Sequence, residues 1–123
     1  MSAIPDFTEA ELWVVKAALK ERYGIDVETQ LADSELRLAP EDRELTMVPA
    51  LFWQQREAGF VIFKTAVDRY RCLFYYSIRE QFGTGREEYD NLGDCVTTLL
   101  RLQADHEKER AGVTSGKTGQ EIK

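Results

Sequence analysis

The segment FWQQREAGFVIFKTAVDRYRCLFYYSIREQF, residues 52–82, decides the fold of this 123-residue chain. It holds nine of the thirteen aromatic residues, and apolar side chains alternate with polar ones along much of it. Alternation with a period of two is typical of β-strands, in which aromatic residues are also enriched. We therefore interpret the segment as strands of a sheet that builds the hydrophobic core.

Two paired strands are predicted within this segment, Phe60 to Val67 and Arg71 to Ile78. On one face of the second strand the pattern places a set expected in the core: Tyr70, Cys72, Phe74, Tyr76 and Ile78. A helix over residues 65–82 is the alternative, because Thr65 and Asp68 resemble a capping box and no Gly, Asn or Pro marks a turn. The aromatic-rich composition favours the strands.

Helices are predicted on both sides of this region. The first should run from about Glu9 to Tyr23, since Thr8 and Glu11 form a T-x-x-E capping box and Gly24 suits the position after the helix. A second helix is predicted after Thr84, where Glu87 completes another capping box. It should end near Arg110.

The chain between these elements is predicted to form short strands. Two or three of them fall between Ile25 and Val48, with a turn at residues 39–42. Residues 49–59 can be a short helix, with Pro49 at its first position and Gly59 after its end, or a continuation of a strand from Leu45. The helix is the preferred interpretation.

These elements predict a single α+β domain over residues 1–110. An antiparallel sheet of four or five strands is packed by an N-terminal and a C-terminal helix, and residues 111–123 form a flexible polar tail. The order of elements, with the small size and low isoelectric point, resembles the dimeric chaperones of type III secretion effectors. This architectural resemblance implies a homodimer that binds another protein.

Charge and composition limit the location and the partners. The chain has 16 basic and 22 acidic residues and a formal charge of -6, which argues against nucleic acid or an anionic membrane as the partner. No apolar run approaches the roughly 18 residues of a membrane helix, the start has no secretory-signal pattern, and only two cysteines occur. We therefore expect a cytoplasmic protein.

No set of residues in the sequence predicts catalysis. Residues 111–118 match a relaxed phosphate-loop pattern, but they follow a charged helix and not a strand, so the match is interpreted as chance. The single histidine, His106, is interpreted as a solvated residue near a helix end that cannot assemble a zinc site alone. We predict that the protein is not an enzyme and has no metal or cofactor.

The preferred functional hypothesis is a protein-interaction module, such as an assembly factor, a chaperone-like adaptor or a regulator, that acts as an acidic cytosolic homodimer. Its contact surface is predicted on the second face of the aromatic strand: Arg69, Arg71, Leu73, Tyr75 and Arg79.

Two alternatives stay open. One is a small-molecule-binding or sensory domain with an aromatic-lined pocket. The other is an acidic nucleic-acid mimic that binds a basic protein, because residues 26–44 carry seven acidic and two basic residues. Its candidate residues are Asp33, Glu35, Glu41 and Asp42.

Overall fold

The computed structural model describes residues 4–115, and the side chains of residues 4–109. The elements in chain order are α1 (Glu9–Tyr23), β1 (Gln30–Leu36), β2 (Thr46–Gln55), β3 (Ala58–Ala66), β4 (Arg69–Tyr75), β5 (Gln81–Gly83) and α2 (Leu92–Ser115). The strands form one five-stranded antiparallel sheet in sequence order. The predicted α+β class, with a helix before and a helix after the sheet, is confirmed.

The first helix has the predicted ends. The Thr8 hydroxyl accepts the Glu11 N–H at 3.1 Å, while the Glu11 carboxylate accepts the Thr8 N–H at 2.7 Å. At the other end Gly24 adopts a left-handed conformation with φ 76°. Local capping chemistry is therefore enough to define α1.

The predicted helix over residues 49–59 is wrong, because β2 continues to Gln55. Pairing with β1 and β3 overrides the local helix propensity. Pro49 lies opposite Asp33 of β1, and β3 joins β2 only from Ala50 onward. The missing N–H of Pro49 therefore falls where β2 has one neighbouring strand.

The β2–β3 and β3–β4 turns are built on residues other than glycine. Arg56 and Glu57 adopt positive φ angles of 55° and 70°, and Asp68 adopts 58°. The alternative helix over residues 65–82 is therefore wrong, because the end of β3, all of β4 and the start of β5 lie in that range. Such backbone angles cost energy in residues other than glycine, so the pairing of the strands must stabilise these turns.

The fourth strand ends earlier than predicted. It stops at Tyr75, and residues 76–79 form a bend that leads to β5. Ile78 is 90% exposed, so its predicted place in the core is wrong. For the same reason Arg79 does not lie on the face of β4.

The second helix starts later than predicted. The side chain of Asn91, not that of Thr84, accepts an N–H of the first turn, from Asp94 at 2.9 Å. Tyr89 lies before the helix and exchanges two backbone hydrogen bonds with Tyr70, at 2.9 and 2.7 Å. The helix continues to Ser115, and residues 116–123, which include part of the phosphate-loop match, lie outside the described residues.

Both helices pack on one face of the sheet, which we call the helix face. The strand residues that form the core with α1 and α2 all lie on this face: Leu51, Trp53, Ala58, Phe60, Ile62, Tyr70 and Phe74. The ring of Phe60 stacks on Trp53 with centroids 5.1 Å apart. The predicted core position of Tyr70 and Phe74 is confirmed.

A charged cluster is buried between α1 and the helix face. Lys64 of β3 is 3% exposed, and its ammonium donates to the Glu11 carboxylate at 2.8 Å and to the Asp6 carbonyl at 3.0 Å. The Tyr70 hydroxyl donates to the other oxygen of Glu11. A buried charge requires such partners, so this cluster fixes how α1 sits on the sheet.

The two acidic groups of this cluster have shifted pKa values. Burial alone raises the pKa of Glu11, but hydrogen bonds from Lys64, Tyr70 and the Thr8 amide outweigh it, and the net pKa lies below its ordinary value. Burial and the hydrogen bond to Glu11 raise the pKa of Tyr70. The carboxylate and the neutral phenol are therefore the stabilised forms.

His106 belongs to an aromatic cluster and not to the solvated end of a helix. Its ring lies 4.4 Å from that of Phe82 and 5.5 Å from that of Tyr76, and Nδ1 is 3.2 Å from the Tyr76 hydroxyl. Because α2 extends well beyond residue 106, this position lies over the sheet. The earlier interpretation of His106 is wrong.

Candidate protein-interaction surface

The second face of the sheet, which we call the open face, also carries apolar side chains but contributes nothing to the core cluster beneath the helices. Alternation along β2, β3 and β4 brings its residues into register, with Phe52 opposite Val61 and Val61 opposite Leu73. Its central residues are Phe52, Val61, Phe63, Leu73 and Tyr75. All of these except Val61 are half-buried.

A groove of about 420 Å³ runs over the centre of the open face. The five central residues line it, together with the bend that contains Ile78. A second cavity, of about 480 Å³, shares Phe52 and Tyr75 with the groove, and a third, of about 380 Å³, shares Phe63 and Leu73. The groove thus shares lining residues with both of the other cavities.

Charged side chains line the two neighbouring cavities and not the groove. Asp26 and Glu28 line the second cavity, and Arg71, Arg86 and Glu87 line the third, whereas no charged residue lines the groove between them. An apolar centre with a polar rim is the usual arrangement of a protein-protein interface.

Gly59 sets the position of Tyr75 in the groove. The two residues lie opposite each other on β3 and β4. A Cβ atom at Gly59 would lie 2.3 Å from the tip of the Tyr75 ring, so the ring occupies the space above the glycine. Only glycine allows this close approach, which is why a residue with low strand propensity lies within β3.

Arg71 closes one end of the open face from within the molecule. Its guanidinium donates to the carbonyls of Leu38 at 2.6 Å and Arg37 at 3.2 Å, and to the Glu88 carboxylate at 3.4 Å. The same Glu88 oxygen accepts the Thr65 hydroxyl at 2.8 Å. Arg71 therefore fastens the β1–β2 loop to the sheet, and its donors are occupied by these groups.

The other predicted contact residues separate in the structure. Leu73 and Tyr75 lie together in the groove, whereas Arg69 is exposed at the start of β4 and Arg79 is exposed in the bend after it. The predicted set of five therefore does not form one surface, because β4 ends before Arg79. Phe52 and Phe63 also line the groove but are not in the predicted set, because their place beside Leu73 and Tyr75 depends on the register across the Arg56 turn.

The four predicted acidic candidates also divide between two elements. Asp33 and Glu35 are exposed on β1, and Glu41 and Asp42 lie in the loop that follows it. The carboxylate of Asp42 accepts the Ala39 N–H at 3.1 Å, so it also stabilises the predicted turn at residues 39–42.

Within residues 4–115, no group of three or more His, Cys, Asp or Glu side chains could hold a metal ion. In the same range, neither helix is long and apolar enough to span a membrane.

Comparison of the chain with known protein families, with curated proteins and with solved structures finds no match.

Proposed function

We propose that this chain is a non-catalytic protein-interaction module that binds a partner protein through the groove on its open face. One observation carries the proposal: the sheet is apolar on both faces, but among the described residues the helices cover only the helix face, and four of the five central residues of the open face stay partly exposed. A sheet with two apolar faces normally has a layer on each, because apolar area left in water costs about 25 cal/mol per Å². A partner protein would supply the missing layer.

The residues of the groove suit this role. Aromatic side chains are enriched among the residues that dominate binding energy, and strand pairing fixes the backbone that carries Phe52, Phe63 and Tyr75. Arg71, which already binds the Leu38 carbonyl, contributes by holding the rim in place.

The experiment that tests the proposal compares two substitutions of the same kind at different places. Leu73→Glu puts a charge into the groove, whereas Met47→Glu puts it at a position that is 56% exposed and does not line the groove. Each variant and the native chain are used as bait in affinity capture from the source cell, after circular dichroism has shown that both variants are folded.

We expect the native chain and Met47→Glu to retain the same partner and Leu73→Glu to lose it. A partner that binds Leu73→Glu as well as the native chain would refute the groove as its site. If Leu73→Glu and Met47→Glu lost the partner equally, capture would depend on the net charge of the chain and not on the groove.

We also propose that the protein is a cytoplasmic homodimer. The exposed edge of β1 supports self-association, because seven residues of that strand have a neighbour on one side only and Leu31 on it is 55% exposed. Sedimentation equilibrium should give twice the chain mass for the native protein and a monomer for Leu31→Lys. A monomeric native protein would refute the dimer and leave the groove proposal standing.

The second candidate function is a small-molecule-binding or sensory domain, favoured by the size of the groove. Its volume of about 420 Å³ falls within the range of roughly 300–1,000 Å³ typical of ligand pockets. A thermal-shift screen against metabolites and cofactors should then raise the melting temperature of the native chain but not that of Leu73→Glu. An unchanged melting temperature for every compound would argue for the protein partner.

A further inference from the structure

The two cysteines of the chain lie against each other in the interface between β4 and α2. Cys72 is on the helix face of β4, and Cys95 is in the first turn of α2. The sulfur of Cys72 lies 4.0 Å from the Cys95 carbonyl oxygen, and both thiols are free. The two residues are 23 positions apart in sequence, so the fold brings them together.

The two thiols differ in their access to solvent. Cys95 is fully buried, whereas Cys72 is half-buried. Of the two residues, Cys72 is therefore the more accessible to a small molecule from solvent.

The surroundings of Cys95 also disfavour its thiolate. A hydrogen bond between the two side chains, together with burial, raises the pKa of Cys95. Cys95 thus stays protonated beside Cys72. A protonated, buried thiol does not react with oxidants by itself, because the thiolate is the nucleophile.

We propose that Cys72 and Cys95 form a redox-active pair, in which a hydroperoxide oxidises Cys72 and Cys95 converts the product into an intramolecular disulfide. In the first step the Cys72 sulfur attacks the O–O bond, which yields a sulfenic acid on Cys72 and releases an alcohol or, from hydrogen peroxide, water. In the second step the Cys95 thiol passes its proton to the sulfenic oxygen as its sulfur attacks the Cys72 sulfur, so the S–S bond forms while the S–O bond breaks and the oxygen leaves as water. Two electrons and two thiol hydrogens pass to the peroxide.

This inference does not depend on the proposed function. The disulfide would join β4 to α2 and would close a covalent loop that contains β5. Because such a loop restricts the unfolded chain, the disulfide should raise the melting temperature.

The experiment treats the purified, reduced, folded chain with hydrogen peroxide. We expect its intact mass to fall by two hydrogen atoms and its melting temperature to rise, and both changes to reverse with dithiothreitol. Trypsin cleaves after Arg71, Arg79, Arg86 and Arg101, so the disulfide should appear as a cross-link between peptides 72–79 and 87–101.

Two single variants test the roles of the two thiols. Cys95→Ala should stop at a sulfenic acid on Cys72 that dimedone traps, and Cys72→Ala should leave Cys95 unmodified while the chain is folded. If Cys95→Ala does not fold, the cross-link in the native chain and the result for Cys72→Ala decide the question.

Four outcomes would overturn the proposal. They are a native chain that does not react, a native chain that gains oxygen without a cross-link, a disulfide between two chains, and a Cys95 that reacts in Cys72→Ala as fast as Cys72 does in Cys95→Ala.

Discussion

The two faces of the sheet carry similar side chains in different surroundings. On the helix face, Phe60 is fully buried beneath the helices and stacks on Trp53. On the open face, Phe63, three residues further along the same strand, lines a groove and is half-buried. Apolar alternation alone therefore does not distinguish core from surface, because a sheet has two faces and the position of the helices decides which one they cover.

The largest expected effect comes from removing one phenylalanine from each face. Phe60→Ala should lower the free energy of unfolding by about 4 kcal/mol, since it leaves a cavity in the packed core. Phe63→Ala should lower it by about 1 kcal/mol, since solvent already reaches that ring. Urea denaturation followed by circular dichroism measures both, and equal losses would mean that the chain itself covers the open face.

The second prediction concerns the charged cluster beneath α1. Lys64→Ala should cost about 3 kcal/mol of stability, because it leaves the Glu11 carboxylate without its cation. The double variant with Glu11→Leu should recover part of this loss, since no unpaired charge then remains. The single variant Glu11→Leu gives the cost of the Glu11 change alone. If the double variant loses the sum of the two single losses in the free energy of unfolding, the two side chains act independently.

The same cluster predicts how stability depends on pH. The pKa of Glu11 lies below its ordinary value of 4.5 in the folded chain, so the carboxylate stabilises the fold above that pH. This contribution is lost as the pH falls from there through the lowered folded pKa. The melting temperature of the native chain should therefore drop more steeply across this range than that of Glu11→Gln, and parallel curves would contradict the role of Glu11.

A smaller effect is expected where the open face is most tightly packed. Gly59→Ala should cost about 2 kcal/mol, because the new methyl group meets the Tyr75 ring. In the double variant with Tyr75→Ala the ring is gone, so the total loss should be smaller than the sum of the two single losses. Additive losses would show that the Tyr75 ring does not fill the space above Gly59.

The smallest effect is expected in the bend after β4. Ile78→Ser should change stability by less than about 0.5 kcal/mol, because the side chain is 90% exposed. Ile62→Ser, a matched change in the core, should prevent stable folding or cost several times more. A large loss in Ile78→Ser would mean that the bend packs on the groove in solution.

What could be predicted from the sequence depended on whether the signal was local. Thr8, Glu11 and Gly24 define α1 through contacts within a few residues, so its bounds followed from the sequence. The strand at residues 49–55 depends on pairing with β1 and β3, and no local pattern reports that pairing. Its composition therefore suggested a helix.

The candidate surface was found in part for the same reason. Leu73 and Tyr75 follow from alternation along a single strand. Phe52 and Phe63 join them only once the register across the Arg56 turn is known, and that turn has no Gly or Asn to mark it. Arg71 binds the Leu38 carbonyl, and His106 lies among the aromatic rings. Both contacts join residues far apart in sequence, so no local pattern predicts them.

The strand order has a consequence for how the chain reaches this structure. Every strand pairs with its neighbour in sequence, so the sheet can assemble hairpin by hairpin through short loop closures. The helices flank the sheet in sequence and yet contact each other, so their docking closes the longest loop in the fold. We expect that docking to complete folding, and a chain arrested before it would expose both apolar faces and be prone to aggregation.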